Sequence, residues 1–297
     1  SIRRGEDTWA KDVNEARDFY KKAKEKHHAE KWNKNKTFAF ETSEGVSFEL
    51  TVQQMMSIYA YSKRKDADKH LSIGGFVFAP TTEIKKGLLK YEVNNATAHN
   101  ISPETILEIA GKLTDEQRDF VDEMQTYLSE VMGEKGNEVS MAMYDVKLFN
   151  EKNYFPLKSA NQYLFEQNNP AGEIKLKNSG FTKSRVPGAN NPVVLSDFID
   201  VWANHVNDMS MYHAFVLPIE DFNRVYNYKT SLFPNQKSVK GVVQNAYGKE
   251  ANDYISGLIT DLNGGARVDR TAGIINKLIG GFKKASVFAS ASVVIQQ

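Results

Sequence analysis

The segment from Phe181 to Val216 constrains this chain most. A loop rich in Pro, Gly and Asn runs there into one strongly periodic helix. Phe198, Trp202, Val206, Met209 and then Phe215 or Val216 recur at helical spacing, so they form one wide apolar stripe. Ser196 offers an N-cap, with Asp197 and Asp200 in the first turn, where the helix dipole favours acids. A helix this apolar has to be packed into the centre of whatever the rest of the chain builds. It also carries His205, Asp208 and His213 beside Trp202, Met209 and Tyr212.

Those histidines set the first functional question. His205 and His213 stand two turns apart, about 12 Å along the axis. One ion cannot comfortably take both, so the expectation is hydrogen-bonded structural histidines, with no metal and no cofactor. An acid–base role would need a charged partner from elsewhere in the chain. The candidate constellation is Tyr154, Arg185, His205, Asp208 and His213.

The remaining chain supplies helices to surround that stripe. The 297 residues are 41% hydrophobic and 25% charged, the range of a folded protein with a substantial core. No cysteine is present, which removes disulfides and thiolate metal sites. A net charge of +1 makes no global case for nucleic acid, and no apolar run is long enough for a membrane span. Residues 7–34 read as an exposed helix, with Trp9, Val13, Ala16, Phe19 and Tyr20 on its inner face. Phe38, Phe40, Val46, Phe48 and Leu50 alternate about Ser43-Glu44-Gly45, a hairpin signal. Thr51 with Gln54, and Thr114 with Gln117, read as capping boxes, and Ser102-Pro103-Glu104 as a helix start. Phe76-Val77-Phe78 follows Gly74-Gly75 as a short strand within a loop. The stripe after Thr114 is Phe120, Val121, Met124, Leu128, Val131 and Met132. Gly133 and Gly136 are expected to break that helix before a run through Val139, Met143, Val146 and Phe149.

Charge is distributed unevenly. Residues 101–151 hold twelve acids against four Lys or Arg, an excess read as a solvated face; Asp122 and Glu123 have no histidine nearby in sequence. Residues 161–191 lack periodicity and are expected to separate two lobes, 1–150 and 151–297. Pro218 is expected to begin a new element. Residues 238–262 read as a helix burying Val242, Val243, Ala246, Tyr247, Ala251, Ile255, Leu258, Ile259 and Leu262. Arg267, Arg270, Lys277, Lys283 and Lys284 could form a basic patch for nucleic-acid phosphates, although no aromatic-interleaved motif accompanies them. The absence of a starting Met and the apolar end, Val287 to Ile295, suggest a fragment of a longer chain. No GxxxxGK[ST], GxGxxG, HExxH or GxSxG motif occurs.

Several strings carry a resemblance. LTVQQMMSIYAYSKR (residues 50–64), EKNYFPL (151–157) and GFTKSRVPGANNPVVLSDFIDVWANHVNDMSMYHAFVLP (180–218) are three of them. QNAYGKEANDYISGLITDLNGG (244–265) and FKKASVFASASVVIQQ (282–297) are the others. They resemble helical regions of large polyvalent proteins carried by phages, prophages and conjugative elements, some joined to portal-associated MuF-type modules. The resemblance spans most of the chain after residue 50. It implies a region within a giant multidomain chain, bacterial-cytoplasmic or virion-associated, whose partners are other regions of the parent protein or other mobile-element components. It carries no catalytic residues.

The expected fold is therefore mainly α: an irregular multi-helix bundle in two lobes with a small β-hairpin near residues 37–51. The expected role is a non-catalytic structural or interaction module. The alternatives are a cryptic enzyme with its site near His205, Asp208 and His213, or a nucleic-acid-binding module using the basic C-terminal third.

Overall fold

In the computed structural model the long apolar stripe becomes a helix of 30 residues with other helices packed along its sides. The structure describes residues 2–33, 36–64, 69–78, 98–156, 192–228 and 238–262, with side chains from residue 4 to residue 257. Helix dominates: α1 (Ile2–Lys26), α2 (Val52–Ser62), α3 (Pro103–Lys112), α4 (Asp115–Thr126), α5 (Gly133–Tyr144), α6 (Phe198–Asn227) and α7 (Val239–Leu262). Strands β1 (Thr37–Glu41) and β2 (Ser47–Thr51) form the antiparallel hairpin, with Phe40 opposite Phe48 and Phe38 opposite Leu50. Strands β3 (Phe76–Phe78) and β4 (Val193–Leu195) pair in parallel, Phe76 with Val193 and Phe78 with Leu195. The chain is mainly α with a small hairpin, as its sequence indicates.

Local signals account for the helix starts. Thr51 Oγ1 accepts from the Gln54 amide while Gln54 Oε1 accepts from the Thr51 amide, and Thr114 and Gln117 repeat the arrangement. Ser102 accepts from the Thr105 amide, with Pro103 in the first turn where its missing N–H costs nothing.

The start of α6 differs from expectation. Its N-cap is Asp197 rather than Ser196, and Asp197 makes no side-chain capping bond. The amide of Ile199 instead donates to Gln53 Oε1 on α2 at 3.2 Å, and Ser57 Oγ donates to the Ser196 carbonyl at 2.8 Å. The cap comes from a neighbouring helix, which no local pattern encodes.

Three further expectations are corrected. Gly133 and Gly136 do not break a helix: α4 passes through a wide π-turn at Tyr127–Met132 directly into α5, with Thr126, Tyr127, Met132 and Gly133 all in right-handed helical geometry. The wider turn rotates the helical face, so Val131 points to solvent while Leu128 and Met132 stay buried. Gly136 is small because Met209 and Phe149 press on it: a β-carbon there would lie 2.8 Å from both side chains. The helix then stops at Tyr144, with Asp145 left-handed at φ 56°, so Val146 and Phe149 fall beyond it. Pro218 sits inside α6 rather than opening a new element. It removes one backbone donor, yet buried residues continue on both sides of it from Val216 to Ile219.

The third correction is α7. It spans the expected residues, and Ser238 Oγ caps it through the Gly241 amide. Gly248 interrupts it at φ 80°, ψ 178°, a conformation that favours glycine. Val242, Ala246 and Tyr247, expected to be buried, are exposed, and Val243, Ala251 and Ile255 are only half-buried. Helical periodicity reports a face, and burying it requires a neighbour; the contacts of α7 among the described residues are chiefly with the end of α6.

One buried cluster gathers residues from Ala16 to Met209. It includes Phe40, Leu50, Met55, Ile58, Phe76, Ile109, Phe120, Phe155 and Phe198. Trp202 stands at its centre, 2% exposed, with its ring centroid 6.0 Å from Tyr20 and 5.6 Å from Tyr127. Its Nε1–H donates to the Met124 carbonyl at 3.1 Å. Replacing Trp202 with Ala therefore deletes a large buried ring and one of the hydrogen bonds that the Met124 carbonyl accepts. Urea unfolding is expected to show a loss of about 3–5 kcal/mol.

Candidate functional site

The inner face of α1 carries a charge that its stripe would not suggest. Asp12 follows Trp9 by three residues and precedes Ala16 by four, so it lies on the apolar side of the helix. It is 2% exposed. A buried carboxylate is tolerable only when its oxygens are matched, and here both are. Asp12 Oδ1 accepts from Lys135 Nζ on α5, and Asp12 Oδ2 accepts from His213 Nδ1 on α6 at 2.7 Å. Lys135 Nζ also reaches Glu15 Oε2 at 2.7 Å, and His213 Nε2 meets Glu138 Oε2 at 3.1 Å. Three helices are thus joined by one polar cluster, with its core members little exposed and its outer carboxylates, Glu15 and Glu138, at the surface.

The protonation states follow from the contacts. Ionised carboxylates only accept, so a histidine bonded through both nitrogens to carboxylates donates from both and is an imidazolium. The bond to Asp12 raises the His213 pKa above its ordinary 6.5, against the effect of burial, and Glu138 adds to the rise. Burial pushes Asp12 up, but the bonds and charges of His213 and Lys135 outweigh it and hold the carboxyl below its ordinary 3.8. Burial likewise opposes charge on Lys135, and the bonds to Asp12 and Glu15 overcome it, raising that group above 10.5. Nearby, burial pushes the Tyr127 phenol well above its usual 10, with Glu15 and Asp12 adding to the rise.

Chemically, this is a tie between helices. An imidazolium with both N–H groups engaged has no lone pair to accept a proton. The Lys135 ammonium already sits between the Asp12 and Glu15 carboxylates. Among the described residues no group of three or more His, Asp or Glu is arranged to hold a metal ion.

The residues singled out in the sequence are distributed as follows. Tyr154 and His205 come together, with ring centroids 5.0 Å apart, and His205 is 5% exposed. The Arg64 guanidinium lies 5.1 Å from the Tyr154 ring; it also donates to Glu151 Oε1 at 3.0 Å and to the Phe155 carbonyl at 2.9 Å. His213 belongs instead to the Asp12 cluster, and Asp208 is half-buried on α6. Arg185 lies outside the described residues, as do Arg267, Arg270, Lys277, Lys283 and Lys284.

Asp12, Glu15, Arg64, Lys135 and Glu138 were not singled out in the sequence. For Asp12 alone a signal existed, its place on an apolar stripe. The acidic stretch was also more than a solvated face. Glu123 accepts from Lys26 Nζ at 2.8 Å and contacts His27 Nε2 at 2.7 Å, although no histidine is near it in sequence. Asp122 pairs with Lys63.

No family model, curated protein or solved structure matches the chain. The geometry therefore carries the functional reading. Asp12→Ala would leave Lys135 and His213 facing a void where their shared carboxylate stood. The expected loss of stability is about 3–5 kcal/mol, read from urea unfolding near pH 6.

Proposed function

We propose that the chain is a non-catalytic structural and interaction module of a large polyvalent protein of phages, prophages or conjugative elements. The observation that carries the non-catalytic reading is the saturation of His213, whose two ring nitrogens are both engaged by carboxylates on other helices. Polar residues that could have built a reaction centre serve instead as ties: Asp12 and Lys135 between α1 and α5, Glu123 between α4 and the end of α1, and Arg64 between α2 and residues 151–155.

The interaction part of the reading rests on the end of α6 and on α7. Val225, Tyr228, Val242, Tyr247 and Tyr254 are all more than half exposed there, with Tyr247 at 77% and Tyr254 at 75%. Exposed aromatic residues are the side chains that anchor protein interfaces. The resemblance points to other regions of the parent protein, or other mobile-element components, as the partner class, in the bacterial cytoplasm or the virion.

The test is sedimentation of the chain with the separately expressed regions that adjoin it in a polyvalent protein. Tyr247→Ser together with Tyr254→Ser is expected to weaken association by roughly tenfold or more. The melting temperature should stay unchanged, because these side chains contribute little to the core. Association indifferent to both substitutions would remove the interaction reading. A turnover abolished by His205→Ala in a folded protein would replace the non-catalytic reading with the enzymatic one.

A further inference from the structure

The polar cluster that ties α1 down is assembled around one group that changes charge near neutral pH. We propose that His213 is a proton-operated clasp: as an imidazolium it bridges Asp12 of α1 and Glu138 of α5, and losing its proton loosens the N-terminal half of α1 from the bundle. The inference is independent of the proposed interaction role.

The charged groups bonded to His213 are Asp12 from α1 and Glu138 from α5; Lys135 from α5 joins Asp12 and brings Glu15 into the same cluster, with the Tyr127 phenol beside it. Helices α2 and α7 also pack on α6, but through Gln53 at its start and through Asn252 and Ile255 further along. With His213 protonated, two cations face three carboxylates. Without that proton, Lys135 alone faces the same three. A neutral imidazole has a single N–H. Whichever nitrogen keeps it, the other turns a lone pair toward a carboxylate oxygen. If that oxygen is Asp12 Oδ2, a buried charge loses one of its two partners.

The direction with pH follows. A histidine whose folded value lies above 6.5 contributes its stabilisation in full below about pH 6.5 and loses it as the pH rises through the folded value. Asp12, held below 3.8, loses its contribution only in acid. The clasp is therefore complete below about pH 6.5 and opens as the pH rises through the raised folded value of His213.

Helix α1 is the element that yields, because the alternatives are anchored elsewhere. Helix α5 continues directly from α4, and Asn137 fixes its flank by two bonds to the Phe149 backbone. Helix α1 retains Glu123 at its C-terminal end through Lys26 and His27. Among the described residues its N-terminal half has, beyond apolar packing, the Trp9 Nε1–H bond to Asn207 at 3.3 Å and the Asp12 and Glu15 contacts. Opening that half uncovers the patch of Ala214, Phe215 and Ile219 on which Trp9 packs.

The experiment is hydrogen exchange of the full chain between about pH 6 and pH 8.5, read by mass spectrometry and corrected for the pH dependence of intrinsic exchange. Peptides from residues 6–20 are expected to lose protection severalfold across that range, while peptides from residues 103–126 hold theirs. His213→Gln, which cannot be protonated, should give residues 6–20 low protection that no longer varies with pH. Glu138→Gln alters an exposed carboxylate and should move the transition to lower pH. Protection of residues 6–20 that is flat with pH in the wild-type chain overturns the clasp, as does a pH dependence that survives His213→Gln. Should His213→Gln fail to fold, Glu138→Gln decides: an unmoved transition overturns the proposal.

Discussion

A helix that carries Phe198, Trp202, Val206 and Met209 along one stretch and Ala214, Phe215 and Ile219 along the next cannot satisfy its surface against a single neighbour. The hydrophobic effect charges for every uncovered face, so α6 draws in α1, α2 and α5 together. Most other features of the bundle follow from that demand. Gly136 lets α5 approach closely enough to press on Met209. Gln53 can cap α6 only because α2 is already packed at its start. Trp202 donates to the Met124 carbonyl because the turn after α4 is held against the same helix.

Polar groups then become affordable inside the bundle. Asp12 would be costly alone on an apolar face. Between Lys135 and His213 it supplies direction, which packing alone does not: apolar side chains tolerate small slips, whereas matched donors and acceptors prefer one alignment. Arg64 does comparable work at the other end of α2, holding residues 151–155 so that Phe155 can stack on Phe198 with ring centroids 4.9 Å apart.

How much of this was legible in the sequence depended on range. The two capping boxes are interactions between positions three apart, and both can be read directly from Thr51–Gln54 and Thr114–Gln117. The hairpin is equally local. The stripe of Trp202, Val206 and Met209 was strong enough to place these residues at the centre. Apart from the helices that run on through Gly133 and Pro218, what failed depended on a distant neighbour. The cap of α6 comes from Gln53, and the partners of Glu123 are Lys26 and His27. The apolar face of α7 looked as convincing as that of α6, yet much of it is exposed. His205 and His213 read as a pair in the sequence because both lie on one helix. Their contacts divide them, one against Tyr154 and the other against Asp12.

The bond between Asp12 and His213 has a consequence in time as well as in space. Its two ends are 201 residues apart in the chain. At about 5–20 residues per second of synthesis, α1 leaves the ribosome roughly 10–40 seconds before the helix that receives it. Throughout that interval Val13, Ala16 and Tyr20 lack α6 as a partner, while the hairpin and α2 can already assemble from short-range contacts. Until α6 emerges, the apolar side of α1 has no long-range cover from the helix that will receive it.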